Sequence, residues 1–197
     1  MKNYRILFIV FGLVLLGAGC FNSSEEIKTN KPVDIDRDAI LHNARVNGLI
    51  MNETEVAEMQ NQDVRNFDNQ AISVSDIESF FGKNVVGWKS AALADVTGGG
   101  SYGLAHSTFK DGVHTLISDM GSLPKLDNNY FYEGWIVRRG SDLSVISTGK
   151  AELIDDKLVN VYKSSTNLTD HDFYVLTLEP DDDNPAPAEH ILEGAFN

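Results

Sequence analysis

Short runs of alternating apolar and polar residues dominate the chain from Trp88 onward. The runs are rich in β-branched and aromatic residues and are separated by turn-forming residues, which is typical of β-strands. Asp111-Gly112 lies between two such runs and favours a two-residue hairpin turn. Regularly spaced short strands with no long helix between them predict a mainly β domain over residues 88–197, an antiparallel β-sandwich of immunoglobulin-like or similar type. The predicted strands are Lys89–Val96, Tyr102–Phe109, Val113–Ser118, Phe131–Arg138, Leu143–Thr148, Ala151–Ile154, Leu158–Tyr162, Phe173–Leu178 and His190–Leu192.

The preceding residues, 34–87, predict a small helical segment. Asp36 or Asp38 can cap a first helix, because a short carboxylate accepts hydrogen bonds from the first free N–H groups. Asn47-Gly48 then breaks the helical pattern. A rough apolar stripe at helical spacing runs along this first helix and consists of Ile40, Leu41, Ala44 and Val46.

A second short helix is predicted to begin after Asn52, with Glu55 three residues later in a capping box. Val56 and Met59 are expected to face inward from this helix. The first two helices are therefore expected to form a helical hairpin of modest size over Asp34–Gln60. A third short helix is predicted to begin near Ser75 and to end near Gly82.

The first nineteen residues have the layout of a secretory signal peptide. Lys2 and Arg5 are its basic region, Ile6–Leu16 is uncharged and apolar, and small residues precede Cys20. A cysteine at this place resembles the lipobox of bacterial lipoproteins. That resemblance implies cleavage before Cys20, lipidation of its sulfur and location at the cell membrane, facing the extracytoplasmic side.

Two alternatives to this interpretation stay open. The apolar run is short for a membrane span, which needs about 20 residues, but a retained signal anchor remains a second hypothesis. A buried core helix is the third, and it is disfavoured by the polar residues that follow at once. Residues 20–33 are rich in Asn, Ser, Glu and Lys and predict a flexible tether.

Charge and cysteine content narrow the function classes. The net charge is −13, and loss of Lys2 and Arg5 with the signal peptide would leave 14 basic and 29 acidic side chains. Such a surface repels nucleic acid and anionic headgroups, so no nucleic-acid partner is expected. Cys20 is the only cysteine. Once lipidated, it leaves the exported domain without a disulfide, a thiol nucleophile or a thiolate metal ligand.

Two histidines are the best candidates for metal chemistry. His106 and His114 flank the Asp111-Gly112 turn and could face each other across a hairpin. A zinc site needs a further ligand, and the spacing of the other histidines, His42, His171 and His190, points to none. The favoured interpretation is therefore hydrogen-bonded or surface histidine, with no metal and no cofactor.

Other reactive patterns are equally weak. Gly98-Gly99-Gly100 lacks the lysine and the helix of a phosphate loop and predicts a connection between strands. Asp181-Asp182-Asp183-Asn184 could offer oxygen ligands to calcium, but Pro185 and Pro187 follow and favour a solvated turn. Gly99-Gly100-Ser101-Tyr102-Gly103 has the G-x-S-x-G spacing of a nucleophile elbow, but a strand pattern and no helix follows the serine. No catalytic residue is predicted, and enzymatic activity is not expected.

Two ordered motifs carry a family resemblance. The first is Leu123-Pro124 followed by Tyr130–Arg138, with the sequence YFYEGWIVR, and the second is Phe173–Pro180, with the sequence FYVLTLEP, followed by a proline-containing loop and Ile191–Gly194. In order and spacing they resemble the extracytoplasmic C-terminal domain of anti-sigma-K factors, over about Trp88 to Gly194. The motif positions carried over are Trp135, Val137, Thr177, Glu179, Pro180 and Gly194.

These motif residues predict structure rather than catalysis. Their apolar members are expected in the core, and the strand containing Leu176 is expected to be buried on both faces. Pro180 would end that strand because proline cannot donate to the ladder. Glu179 is expected to accept hydrogen bonds from a turn or to pair with Arg138 or Arg139.

Anti-sigma-K factors hold a cytoplasmic sigma factor, and we do not expect this chain to hold one once the predicted signal peptide is removed. We therefore expect a binding or sensory protein of the cell envelope, attached to the membrane through Cys20, with a protein or small ligand at the cell surface as its partner. One alternative is a metal-binding envelope protein that uses His106 and His114. Another is a structural envelope protein whose helical hairpin docks a partner.

Overall fold

The computed structural model describes residues 35–62, 64, 84–154 and 156–197. The predicted signal peptide, the predicted tether, Cys20 and the helix predicted near Ser75 lie outside the described residues. Asp36–Asn197 forms one compact unit. No helix within the described ranges is long and apolar enough to cross a membrane.

The two predicted helices before the sheet are confirmed, together with their caps. Helix α1 spans Arg37–Val46 with Asp36 as its N-cap, and α2 spans Glu53–Gln60. Asn52 caps α2, and its side chain and Glu55 form the reciprocal capping box. Gly48 has a φ of +67°, a conformation that glycine adopts without strain, and it turns the chain between the helices.

The two helices differ in burial. Met59 of α2 is fully buried, whereas α1 has no buried residue. Ile40 and Val46 of the predicted apolar stripe are more than half exposed. The stripe on α1 therefore does not form part of the core among the described residues.

Nine antiparallel strands follow, matching the predicted ones within a few residues at each end. Asp111 and Gly112, both with positive φ, form the predicted turn between β2 and β3. Along the sheet the order is β5-β4-β8-β9-β1-β2-β3-β7-β6. The strands are β1 Lys89–Asp95, β2 Tyr102–Lys110, β3 Val113–Gly121, β4 Tyr130–Arg138, β5 Ser144–Lys150, β6 Glu152–Ile154, β7 Lys157–Ser164, β8 Phe173–Pro180 and β9 Glu189–Ala195.

The sheet is a single one that nearly closes into a barrel. Its two edge strands, β5 and β6, are consecutive in the chain and are separated by Ala151 alone, so one bent segment connects the two edges. The Ala151 N–H donates to the Tyr132 carbonyl at 2.9 Å across this corner. The mainly β, antiparallel prediction is confirmed. Two separate stacked sheets are not seen among the described strands, so the sandwich itself is not confirmed.

The main core fills the inside of the curved sheet, and a second core lies between the sheet and the helices. Leu176, Ile136 and Leu192 belong to the inner core. On the outer face, Trp135 and Val175 pack with Met59 of α2. Strand β8 is therefore buried on both faces, as its sequence predicted.

Gly134 shows why the first motif contains a glycine. A Cβ at this position would lie 2.5 Å from three polar side-chain atoms, Asn160 Oδ1, Thr148 Oγ1 and Tyr174 Oη. These groups form a buried network inside the sheet, in which Ser118 Oγ also donates to Tyr174 Oη at 3.0 Å. Only glycine leaves room for the network at this point.

Candidate binding clefts

The larger cleft lies at one end of the sheet, where β3 finishes, β4 begins and the β6–β7 hairpin turns. We call it the barrel-end cleft, and it has a volume of about 620 Å³. This size suits a small organic ligand. Its wall is mainly apolar and aromatic and is contributed by Met120, Leu123, Pro124, Leu126, Tyr130, Phe131, Tyr132, Ala151, Leu153 and Leu158.

Local hydrogen bonds hold the loop that forms one wall of the barrel-end cleft. Tyr132 Oη donates to the Pro124 carbonyl at 3.1 Å, which fixes the Leu-Pro pair of the first motif over the start of β4. Burial raises the pKa of Tyr132, and the nearby charge of Asp95 adds to the rise. Leu153 is 71% exposed and Tyr130 is 49% exposed at the rim. Large apolar side chains that remain open to water mark a surface suited to an apolar ligand.

A second cleft, of about 460 Å³, lies between the helices and strand β9. We call it the helix–sheet cleft. His190 and Glu193 line it, and their side chains are only 4% and 2% exposed. His190 Nδ1 lies 2.6 Å from Glu193 Oε1, and the Met51 N–H donates to Glu193 Oε2, also at 2.6 Å. One buried carboxylate thus links the imidazole to the chain that enters α2.

An irregularity in the ladder places this pair on one face of the sheet. Glu193 pairs with Val175, and His190 pairs with Thr177, so one residue more lies on β9 than on β8. In a regular strand, residues three apart point to opposite faces. The extra residue brings both side chains to the outer face under the helices, which is how bulges commonly re-aim side chains.

Other motif residues continue this buried polar face. Trp135 Nε1 donates to Thr177 Oγ1 at 2.7 Å, and Glu179 Oε1 accepts the Ala188 N–H at 2.8 Å. The expectation that Glu179 accepts a hydrogen bond from a turn is therefore confirmed. Arg138 and Arg139 bind elsewhere, to Asp170 and to the Gly48 carbonyl.

Three further motif positions, Val137, Gly194 and Pro180, have plain structural roles. Val137 is fully buried in the outer core, and Gly194 lies where a Cβ would stand 2.4 Å from the Ala92 carbonyl oxygen. Pro180 is the last residue of β8, as predicted. Glu133 accepts a hydrogen bond from Ser147 on the same face. Burial raises the pKa of Glu133, and the neighbouring charge of Glu179 adds to the rise.

His106 and His114 do not face each other across the hairpin, so the alternative of a metal pair at these two positions is wrong. In the β2–β3 ladder, His114 pairs with Phe109 and His106 pairs with Ile117, and the odd spacing puts the two imidazoles on opposite faces. His114 is buried inside and lies 3.1 Å from Ser107 Oγ, while His106 lies 2.9 Å from Ser90 Oγ. Across the described residues, no group of three or more potential ligands is arranged to hold a metal ion.

Ser144, His171 and Asp170 have the hydrogen-bond order of a catalytic triad. His171 Nε2 lies 3.0 Å from Ser144 Oγ, and His171 Nδ1 lies 2.8 Å from Asp170 Oδ1. In a hydrolase the acid of the triad is buried. Here the Asp170 side chain is 54% exposed and forms a salt bridge with Arg138. We assign the three residues a structural role, fastening the loop before β8 to the edge strand β5.

The remaining sequence candidates are turns. Gly98-Gly99-Gly100 connects β1 and β2, as predicted, and the Asp95 carboxylate accepts the Gly99 and Ser101 N–H groups. The Asp181–Asn184 segment is exposed. Within it, Asp182 Oδ1 accepts the Asn184 N–H at 3.0 Å, which is typical of a solvated turn.

The His190–Glu193 pair and the barrel-end cleft were not predicted from the sequence. The one available signal was Glu193, a charged residue inside an otherwise apolar strand. No family model matches the chain, and no curated protein or solved structure is significantly similar to it. The resemblance to anti-sigma-K factors therefore stays a prediction from the motifs.

Proposed function

We propose that this chain is a lipid-anchored binding protein of the bacterial cell envelope and that it captures a small, largely apolar ligand in the barrel-end cleft. The observation that carries the proposal is that cleft, with its aromatic and aliphatic wall and its exposed rim residues Tyr130 and Leu153. Clefts of this kind are the usual ligand sites of small proteins and often lie at the mouths of barrels.

The place of action is part of the same proposal. The signal-like residues 1–19 and Cys20 support attachment to the membrane and exposure on its extracytoplasmic side. We further propose that the domain is of the type found outside the membrane in anti-sigma-K factors, with the two halves of its sheet facing each other across the inner core in a sandwich-like manner. The protein acts by binding, not by catalysis.

Binding is tested with the uncharged fluorophore N-phenyl-1-naphthylamine, whose emission rises in apolar surroundings. The full chain carrying Cys20→Ala is used, so that no lipid or detergent competes for the probe. Leu153→Arg places a charge at the rim of the cleft, and Val86→Arg is the matched control at an 85% exposed position outside it. We expect saturable binding that Leu153→Arg weakens and Val86→Arg leaves unchanged. Equal binding by both variants would contradict the proposal.

The anchor is tested by intact mass and membrane partitioning in a bacterial host. The natural chain should gain lipid mass and stay with the membrane, and Cys20→Ala should not. If both proteins keep the full N-terminus and partition alike, the lipid-anchor proposal fails.

A second candidate function is docking of an envelope protein on the helical hairpin. It is favoured by the exposure of Ile40, Val46 and Leu49, which are each more than half exposed. Replacing Ile40 and Val46 by Asp should abolish capture of such a partner while leaving fluorophore binding unchanged. Unchanged capture by this variant removes the docking hypothesis.

A further inference from the structure

The helix–sheet cleft contains a hydrogen-bonding atom that no described residue satisfies. The side chain of His190 is 4% exposed, and its Nε2 has no hydrogen-bond partner within the part of the chain that the structure describes. Buried polar atoms in native proteins almost always have a partner. The same imidazole lines a cleft of about 460 Å³, so a bound molecule has room to supply that partner.

The neighbouring carboxylate decides which partner this must be. Glu193 accepts the Met51 N–H with one oxygen and faces His190 Nδ1 with the other, at 2.6 Å each. A carboxylate in this position holds the imidazole proton on Nδ1. In the tautomer with its proton on Nδ1, Nε2 carries the lone pair and can only accept a hydrogen bond. The group that satisfies this tautomer is a hydrogen-bond donor.

The charges around the cleft favour a cationic donor. Among the described residues that line it, Glu53, Glu189 and Glu193 stand against one cation, Arg45. Net negative charge attracts cations and raises their local concentration. The rest of the wall includes the apolar side chains of Met51, Val56, Ala57 and Val96, which would contact an alkyl chain.

We propose that the helix–sheet cleft binds a small primary alkylammonium ion, whose N–H groups donate to His190 Nε2 and to the carboxylates at the cleft entrance. This site is separate from the barrel-end cleft, and its occupancy does not depend on the function proposed above. The extra residue in β9 builds it by bringing His190 and Glu193 to one face.

The test is a titration of the full chain carrying Cys20→Ala with n-butylammonium chloride at constant ionic strength. The imidazole ¹⁵N resonances of His190 report the hydrogen bond at Nε2 directly, and n-butanol is the uncharged control of the same length. We expect a saturable shift of the Nε2 resonance with the amine and none with the alcohol. Absence of a saturable shift, or equal shifts with both compounds, would overturn the proposal.

Charge variants distinguish this site from general attraction to an acidic protein. Glu189→Gln should weaken amine binding about two- to fivefold, and Arg45→Gln should strengthen it by a similar factor, the range expected for partly exposed charges. Asp111→Asn removes an equal charge at the distant β2–β3 turn and should leave the affinity unchanged. The proposal fails if Asp111→Asn and Glu189→Gln weaken binding equally.

His190 itself is tested with Asn, whose amide N–H can still donate to Glu193 while the acceptor at Nε2 is lost. His190→Asn should abolish binding, with the protein still folded by circular dichroism. If His190→Asn binds n-butylammonium as tightly as the natural side chain, the imidazole is not the acceptor. Glu189→Gln and Arg45→Gln decide the matter if His190→Asn does not fold.

Discussion

The two halves of the sheet differ in what covers their outer face. In the covered half, formed by β4, β8 and β9, α2 and the residues just before it lie over the sheet, and β8 is buried on both faces. In the open half, formed by β2, β3 and β7, strand β3 alternates between buried and partly exposed positions. The buried outer-face polar groups Glu179, His190 and Glu193 all lie in the covered half. Polar side chains removed from water must find partners inside the protein. The covered half supplies hydrogen bonds to all three side chains, but it leaves His190 Nε2 without one among the described residues.

The largest predicted loss of stability comes from a substitution of Gly194, in the covered half. A Cβ there would stand 2.4 Å from the Ala92 carbonyl oxygen, so Gly194→Val must push β9 away from β1. We expect a loss of about 3 kcal/mol or more in the free energy of unfolding, measured by urea denaturation. Gly100→Ala is the control, because nothing lies within 4 Å of a Cβ at that loop position. Equal stability of the two variants would contradict the described packing.

The next prediction concerns helix α2, which packs on the outer face of the covered half. Met59 of α2 is fully buried against the outer face, and Met59→Ala should lower the free energy of unfolding by about 2–3 kcal/mol. Val46→Ala on α1, at a position 71% exposed, should change it by less than about 0.5 kcal/mol. Equal losses of stability in the two variants would contradict the described difference in burial between Met59 on α2 and Val46 on α1.

A smaller effect, specific to the open half, depends on pH. Burial lowers the pKa of His114 from 6.5 to about 4, and the neighbouring charges of His171 and Lys89 contribute. Between pH 4 and pH 6.5, the His114 imidazole therefore binds a proton in the unfolded chain but not in the folded chain. The resulting loss of stability is absent above pH 6.5 and grows as the pH falls toward 4, reaching on the order of 2 kcal/mol at pH 5.

The measurement is the free energy of unfolding at pH 7 and pH 5 for the natural chain and for His114→Gln. The variant should lose less stability on acidification, because its side chain does not titrate. Burial also lowers the pKa of His171, so some pH dependence should persist in both proteins. An identical pH dependence in both proteins would show that His114 is not the titrating group.

Much of the fold could be predicted because its signals are local. The Asp111-Gly112 turn, the capping box of Asn52 and Glu55 and the β8 run were all readable from neighbouring residues. The exposure of the apolar stripe on α1 could not be predicted, because the spacing of apolar residues does not show whether another surface covers them. The near closure of the sheet depends on the short bend at Ala151, which has no strong sequence signal.

The clefts were harder to predict because they depend on pairing between distant residues. His190 and Glu193 share a face only because β9 carries one residue more than β8 at this point. His106 and His114 fail to share a face because their spacing in the β2–β3 register is odd. Faces of a sheet follow from register, and a shift of one residue reverses every side chain.

The central claim, a ligand site at the barrel-end cleft, is tested most directly by mapping where an apolar probe binds. Methyl resonances of the full chain carrying Cys20→Ala are followed during titration with N-phenyl-1-naphthylamine. The account predicts saturable shifts at Leu123, Leu126 and Leu158, which line the cleft. Shifts confined to the exposed Ile40 and Val46 of α1, with those three leucines unmoved, would contradict it.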